Sequence, residues 1–191
     1  MAKNVNNYPA FYAAEGDFIY KIFVTDNAML GAKMSKSGTS AKNIILGIAL
    51  TGSTLAAKTL LEKAQIKSDF LLFLSPLLAV ILIELSFRLF YRPHFEEKIQ
   101  KGEKTYLNTD DDKEKFLGMD AHNFHVDAAW VRSAKLNKIK LWWEYPSTNI
   151  GTLELNLDFR KKKKLVLLEN QSIYYVEDVI KKIIPHLKII E

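Results

Sequence analysis

Residues 44–61 read IILGIALTGSTLAAKTLL, and residues 70–91 read FLLFLSPLLAVILIELSFRLFY. As helices, these apolar stretches would be about 27 and about 33 Å long, close to the ~30 Å hydrocarbon core of a bilayer. Lys58 and Arg88 lie near helix ends, where long cationic side chains can reach lipid headgroups. The sequence therefore predicts a two-helix transmembrane hairpin. The alternative is a pair of buried core helices, because the strictly uncharged run within each stretch is shorter than a full span.

Basic residues are concentrated on the two outer flanks of this hairpin. By the positive-inside rule, this distribution predicts that both termini face the cytoplasm at a bacterial inner membrane. The chain has no cysteine and so no disulfide framework, and its first 40 residues lack the apolar core of a signal peptide. The flanking residues are Lys33, Lys36 and Lys42 before the hairpin, and Arg88, Arg92, Lys98, Lys101 and Lys104 after it.

The net charge of +5 does not indicate a nucleic-acid-binding protein. Residues 93–191 carry seventeen Lys and Arg against sixteen Asp and Glu, so the excess positive charge belongs to the predicted membrane half. There it can contact anionic lipid. We predict membrane lipid as a partner, together with another protein or a second copy of the chain, and no nucleic acid.

Residues 1–40 predict a β-hairpin. Phe18, Tyr20, Ile22 and Val24 alternate with more mixed neighbours, a turn follows at Asp26-Asn27, and 29–34 suits a return strand. Two strands alone are marginally stable in water. We expect them to pair with C-terminal strands, which would make the transmembrane hairpin (residues 43–92) an insertion within one cytoplasmic domain.

A charged linker is predicted over 93–115, followed by an antiparallel β domain over 116–191. Side chains alternate between apolar and polar along 124–130, 139–145 and 153–159, which is typical of strands that bury one face. A basic turn follows the last of these, and the chain then returns as a further strand.

The chain ends in a predicted amphipathic helix. Its N-cap is Asn170 or Ser172, and Pro185 ends the helix at about Ile184. Charged residues occupy the side opposite the apolar face of this helix, with acids early and lysines late, as the helix dipole favours. The apolar face is formed by residues at spacings of three or four: Ile173, Val176, Ile180, Ile183 and Leu187.

Three segments near the C terminus read Gly151-Thr-Leu-Glu-Leu-Asn-Leu-Asp158, Lys164-Leu-Val-Leu-Leu168 and Val176-Glu-Asp-Val-Ile-Lys-Lys-Ile-Ile184. In pattern and order they resemble the end of the pleckstrin-homology-like (PH-like) domains found in small bacterial membrane proteins. The resemblance implies a binding or scaffolding role without catalytic residues. The predicted fold class is therefore an α+β membrane protein. Its two-helix transmembrane hairpin is inserted in, or precedes, an antiparallel β, PH-like cytoplasmic domain that ends in an amphipathic helix.

Two features of the predicted hairpin are candidate interaction sites. Glu84 is an ionisable group inside the second helix, and Arg88 lies one turn later on the same face. The two residues form either a structural pair or part of a partner interface or ion pathway. In the first helix, Gly47, Gly52 and Ala56 allow another helix to approach closely, either the second helix of the hairpin or a helix of another subunit.

Asp120, His122, His125 and Asp127 form a cluster with metal-ligand chemistry. On a strand, His122 and His125 would point to opposite faces. We therefore predict solvated or hydrogen-bonded side chains here and no metal, and the sequence predicts no other cofactor.

Five consecutive cations stand at the tip of a predicted hairpin near the C terminus. A tip of this kind either contacts anionic headgroups or is simply solvated. Trp142, nearby, is a candidate partner-binding residue, unless it covers the second face of the domain. The predicted lipid-binding residues are Arg160, Lys161, Lys162, Lys163 and Lys164.

The sequence has no glycine-rich phosphate loop, no Gly-x-Ser-x-Gly elbow and no spaced set of metal ligands. We therefore predict a non-enzymatic inner-membrane scaffold or interaction protein whose PH-like domain binds a protein partner or anionic lipid. Two alternatives are a toxin-immunity or membrane-defence protein and an accessory subunit of a transporter or channel complex.

Overall fold

The computed structural model describes residues 3–36, 39–63, 69–86, 92–138, 149–158 and 161–191. The chain divides into two compact units. We call residues Met1–Ser37 with Lys98–Glu191 the β unit, and residues Gly38–Glu97 the helical unit. The β unit is thus built from two segments that are distant in the sequence.

An eight-stranded sheet forms the β unit, with the strand order β4-β3-β2-β1-β7-β6-β5-β8. All neighbouring strands are antiparallel except β5 and β8, which are parallel. The strands are β1 (Ala10–Glu15), β2 (Phe18–Val24), β3 (Ala28–Lys36), β4 (Phe124–Asp127), β5 (Val131–Asn137), β6 (Asn149–Leu157), β7 (Lys162–Leu168) and β8 (Lys188–Ile190).

The N-terminal and C-terminal strands meet at the pair β1–β7, where Ala13 lies opposite Leu167. β1 and β2 are joined by a tight turn in which Gly16 has a φ of 56°, a left-handed conformation that favours glycine. The strands of the first forty residues are therefore part of the same sheet as those of the last hundred.

Alternate positions of the strands build one apolar core, which the C-terminal helix α5 (Ile173–Ile183) covers. Ile22, Leu136, Leu153 and Leu165 are fully buried there. Each such side chain contributes about 1.5–3 kcal/mol by leaving water. From α5, the helix side chains that enter this core are Val176, Val179 and Ile180.

α5 begins and ends where the sequence predicted. Ser172 is its N-cap residue, although its side chain makes no capping hydrogen bond, and Ile184 is its C-cap, directly before Pro185. Glu177 on α5 pairs with Lys138 at 2.9 Å and with Lys181 at 2.5 Å. The first pair connects the helix to the residue that follows β5, and the second lies within the helix.

The structure differs from the predicted linker over 93–115 and from the predicted strand over 124–130. The predicted linker contains α3 (Arg92–Thr105) and the start of α4 (Lys113–Met119). The predicted strand over 124–130 is β4 followed by a short 3₁₀ helix, Ala128–Trp130. The predicted strand over 139–145 lies outside the described residues, whereas β5, directly before it, was not predicted.

The helical unit contains α1 (Thr39–Lys63) and α2 (Asp69–Ser86), which pack together: Ser75 Oγ donates to the Ser53 carbonyl at 3.4 Å. Pro76 lies inside α2. Several large apolar side chains on the two helices are exposed: Ile48, Leu55, Leu60, Leu77, Leu78, Ile81 and Leu82.

Within the part of the chain that the structure describes, no helix has both the length and the apolar character needed to cross a bilayer. This finding contradicts the predicted transmembrane hairpin. The fold is α+β, with one eight-stranded sheet and five α-helices among the described residues.

Candidate functional site

A basic cleft of about 500 Å³ opens between β3 and the C-terminal part of α3 in the β unit. Four lysines and one carboxylate are among the residues that line it. The lining is supplied by Lys33, Met34, Ser35 and Lys36 of β3, by Lys98, Lys101, Gly102 and Thr105 of α3, and by Tyr106, Met119 and Asp120. We call this surface the basic cleft.

Close packing of α3 on β3 brings the walls of the cleft together. A Cβ atom added at Gly102 would lie 2.7 Å from the Met34 carbonyl oxygen and 2.8 Å from the Met34 Cα. Only glycine allows the two backbones to approach so closely. Lys98, Lys101 and Thr105 follow the spacing of three and four residues that places side chains on one side of a helix. The helix therefore presents both lysines beside β3.

Glu103, also on α3, connects this helix to strands β1 and β2 of the sheet. Its carboxylate accepts hydrogen bonds from the Tyr12 hydroxyl and from Lys21 Nζ, the latter at 2.6 Å. Burial on its own would raise the pKa of Glu103, but the hydrogen bonds from Lys21 and Tyr12 outweigh it and lower that pKa. Glu103 is therefore a carboxylate with a structural role.

Asn123 organises the inner end of the cleft. Its Oδ1 accepts from the Tyr106 hydroxyl at 2.8 Å and from the Lys33 backbone N–H at 2.9 Å, while its Nδ2 donates to the Phe116 carbonyl at 2.8 Å. Asn123 and Tyr106 are both buried. The wall formed by Tyr106 is thus fixed by side-chain hydrogen bonds.

Lys33 is neutralised inside the cleft by Asp120, whose Oδ2 lies 2.7 Å from Lys33 Nζ. Lys33 Nζ also lies 5.5 Å from the centre of the Phe18 ring. Burial tends to raise the pKa of Asp120, yet the hydrogen bonds from Lys33 and from the His122 backbone N–H bring the pKa below its ordinary value. This corner of the cleft carries no net charge.

The other three lysines of the cleft keep their charge available. Lys36, Lys98 and Lys101 are exposed. Among the described residues, no carboxylate lies within ion-pair distance of any of them. Because Lys33 and Asp120 cancel, the cleft has a formal charge of +3 over its lining residues. Such a surface attracts anions and repels cations.

The predicted lipid-binding tip is not one cluster in the structure. Arg160 lies outside the described residues. Lys163 is drawn inward, where it pairs with Glu15 and its Nζ lies 3.7 Å from the centre of the Phe124 ring. Lys164 lies opposite Glu154 in the β6–β7 register. Lys161 and Lys162 are exposed.

The residues of the predicted histidine cluster contact different partners in the structure. His122 stacks on Phe18 with ring centres 4.2 Å apart, and Asp127 accepts from the Ala129 backbone N–H at 2.9 Å. Burial lowers the pKa of His125, whose ring meets Trp130 edge-on at 5.7 Å. Over the described ranges, no three histidine or acidic side chains are grouped as metal ligands would be.

The remaining predicted site residues lie in or beside the helical unit and the 139–148 segment. Arg88 and Trp142 fall outside the described residues. The side-chain environments of Gly47 and Glu84 are also outside what the structure describes. Gly52 and Ala56 are exposed on α1, and a Cβ atom added at Gly52 would meet nothing within 4 Å. One residue further along α1, the Ser53 carbonyl accepts a hydrogen bond from Ser75 of α2.

In the sequence, the cleft lysines are recognisable only as charges that flank a predicted membrane hairpin. The spacing of Lys98, Lys101 and Thr105 was a signal for a helical face, but the interpretation of 93–115 as a linker concealed it. Their proximity to β3 depends on a tertiary contact at Gly102, which no local pattern reports.

Comparisons of the chain with protein-family models, with curated proteins and with solved structures gave no match. The predicted resemblance to PH-like domains is therefore neither supported nor refuted by them.

Proposed function

We propose that this protein is a non-enzymatic binding protein, and that the basic cleft holds an anionic group of its partner. The observation that carries this proposal is the pairing of Lys33 with Asp120 next to three exposed lysines that face one cavity. Burying a charge in an interface is favourable only when an opposite charge compensates it. The cleft offers that compensation to an anion.

The polar groups of the cleft support binding better than catalysis. The Ser35 hydroxyl donates to the Lys36 carbonyl and the Thr105 hydroxyl to the Lys101 carbonyl, each at 3.4 Å. Asp120 is held by Lys33. The described side chains of the cleft thus include no hydroxyl placed beside a general base, which nucleophilic catalysis requires.

Isothermal titration of the full chain with two anions of different chemistry tests the proposal. The probes are inorganic tripolyphosphate and a hexaglutamate peptide. The decisive variant is Lys98→Glu with Lys101→Glu, and the matched control is Lys161→Glu with Lys162→Glu, which changes the same charge at the exposed tip. Far-UV circular dichroism checks that both variants fold, as expected for exposed lysines.

We expect at least one probe to bind, and the cleft variant to weaken that binding by at least about tenfold, or 1.4 kcal/mol. The control should stay within about threefold of the unmodified chain. Failure of both probes to bind would contradict the proposal, as would an equal loss in the two variants. An equal loss would mean that the charge of the whole surface, rather than the cleft, attracts anions.

The toxin-immunity and accessory-subunit alternatives stay predictions of the sequence. Neither gains support from the cleft or from another described feature.

A further inference from the structure

We infer that the group taken by the basic cleft is a phosphate with two or more negative charges, carried on a stem without an aromatic base. This inference rests on the proposed anion-binding function and specifies its ligand class. Three properties of the cleft lead to it: the number of available charges, the type of cation and the lack of an exposed aromatic ring.

The charge count favours a multiply charged ligand. Lys36, Lys98 and Lys101 all line the cavity, and Asp120 is already occupied by Lys33. A single carboxylate would neutralise only one of the three lysines and leave the positive charges of the other two uncompensated. A phosphate monoester carries nearly two negative charges at neutral pH, and a polyphosphate carries more.

The type of cation favours tetrahedral oxygens. Among the described residues that line the cleft, all four cations are lysines and none is an arginine. An arginine presents a planar fork that fits the two oxygens of a carboxylate, whereas a lysine ammonium acts as a point charge. Lysines that approach from β3 on one side and from α3 on the other can contact different oxygens of one phosphate group.

The aromatic content of the cleft does not favour a nucleotide base. Tyr106 is the aromatic residue among the described lining side chains, and it is only 3% exposed. Its hydroxyl is committed to Asn123 at 2.8 Å. Base recognition generally uses an accessible ring for stacking. The stem that carries the phosphate therefore has no stacking partner in this cleft.

A competition series on the full chain tests the ligand class. Inorganic tripolyphosphate, hexaglutamate and ATP are titrated under identical salt, with Lys98→Glu/Lys101→Glu and Lys161→Glu/Lys162→Glu as the cleft and control variants. We expect tripolyphosphate to bind at least about tenfold more tightly than hexaglutamate, and ATP to bind within about threefold of tripolyphosphate. Both phosphate affinities should fall in the cleft variant alone.

Sedimentation with phosphatidylcholine vesicles, with and without phosphatidic acid, identifies the source of the phosphate. Binding that requires both phosphatidic acid and the cleft lysines assigns it to a lipid headgroup. Binding of tripolyphosphate without vesicle binding assigns it to a free phosphate compound. Either result supports the phosphate class.

Two results would overturn the inference while the anion-binding function stands. The first is hexaglutamate binding as tightly as tripolyphosphate through the same lysines, which would assign an acidic peptide. The second is ATP binding more than tenfold tighter than tripolyphosphate, which would show that a base is recognised. If no probe binds, the proposed function itself fails, and the two failures are thereby distinguished.

Discussion

Replacing Gly102 by alanine tests the close contact that forms the basic cleft. In an ordinary helix the change stabilises a protein by up to about 1 kcal/mol, because glycine has the greater conformational freedom when unfolded. At this site the new Cβ atom would lie 2.7 Å from the Met34 carbonyl oxygen, whereas ordinary contact begins at 3.4 Å. The neighbouring atoms are backbone, so they cannot rotate away, and α3 has to withdraw by about 0.7 Å.

The withdrawal has a calculable cost. Overpacking of this kind costs about 1–3 kcal/mol. It also lengthens the hydrogen bonds of the adjacent Glu103 to Tyr12 and Lys21, and bonds to charged groups contribute about 1.5–3 kcal/mol each when they are fully made. After the gain in helix propensity is subtracted, we expect Gly102→Ala to lower the free energy of unfolding by about 1–2 kcal/mol.

Gly118→Ala in α4 is the matched control, because a Cβ atom there would meet nothing within 4 Å. We expect it to be neutral or stabilising by up to about 1 kcal/mol. Urea unfolding followed by tryptophan fluorescence measures both variants, since all three tryptophans belong to the β unit. If Gly102→Ala were as stable as Gly118→Ala, the backbone contact between α3 and β3 would not exist as described.

Three further predictions concern other contacts of the β unit. Glu103→Gln should lower the free energy of unfolding by about 1–2 kcal/mol at pH 7 in the urea assay. Because folding lowers the pKa of Glu103, the loss of stability in Glu103→Gln should be largest at pH values above the ordinary pKa of 4.5. It should disappear as the pH falls through the pKa of Glu103 in the folded protein, and a loss of stability that persists in acid would refute this prediction. Gly31→Ala should cost about 1–3 kcal/mol, since the added Cβ atom would lie 2.2 Å from the Phe124 ring; thermal unfolding with no loss would show that the ring moves freely. Binding of glycerol 3-phosphate to the cleft should weaken as the pH falls from about 7.5 to 5, because the phosphate loses a charge near its pKa of about 6; titration calorimetry that shows no such change would argue against a dianionic ligand.

Elements with a strong local pattern were predictable from the sequence. Clean alternation identified β6, looser alternation identified β2, and apolar spacing with Ser172 and Pro185 at its ends identified α5. β1 was missed because Ala10, Ala13 and Ala14 give its alternation little contrast.

The cleft was not predictable for a different reason. α3 has few apolar residues, and it packs through a glycine backbone and a paired carboxylate rather than through an apolar stripe. Such contacts leave no periodic signal in the sequence. Conversely, the long apolar stretches produced a membrane prediction that the described helices contradict, because hydropathy alone reports that a segment avoids water and does not report what covers it.

The pairing of β1 with β7 also means that the sheet cannot be completed during protein synthesis until β7 has been made. At about 5–20 residues per second, the ribosome needs roughly 7–30 s to proceed from the end of β1 at Glu15 to the start of β7 at Lys162. During that interval the β1 edge of the three N-terminal strands lacks its partner strand and is open to pairing with another nascent chain. The last sixth of the polypeptide, from Lys162 onward, therefore completes a sheet that the first residues begin, and a ribosome that stalls before Lys162 leaves the β1 edge exposed.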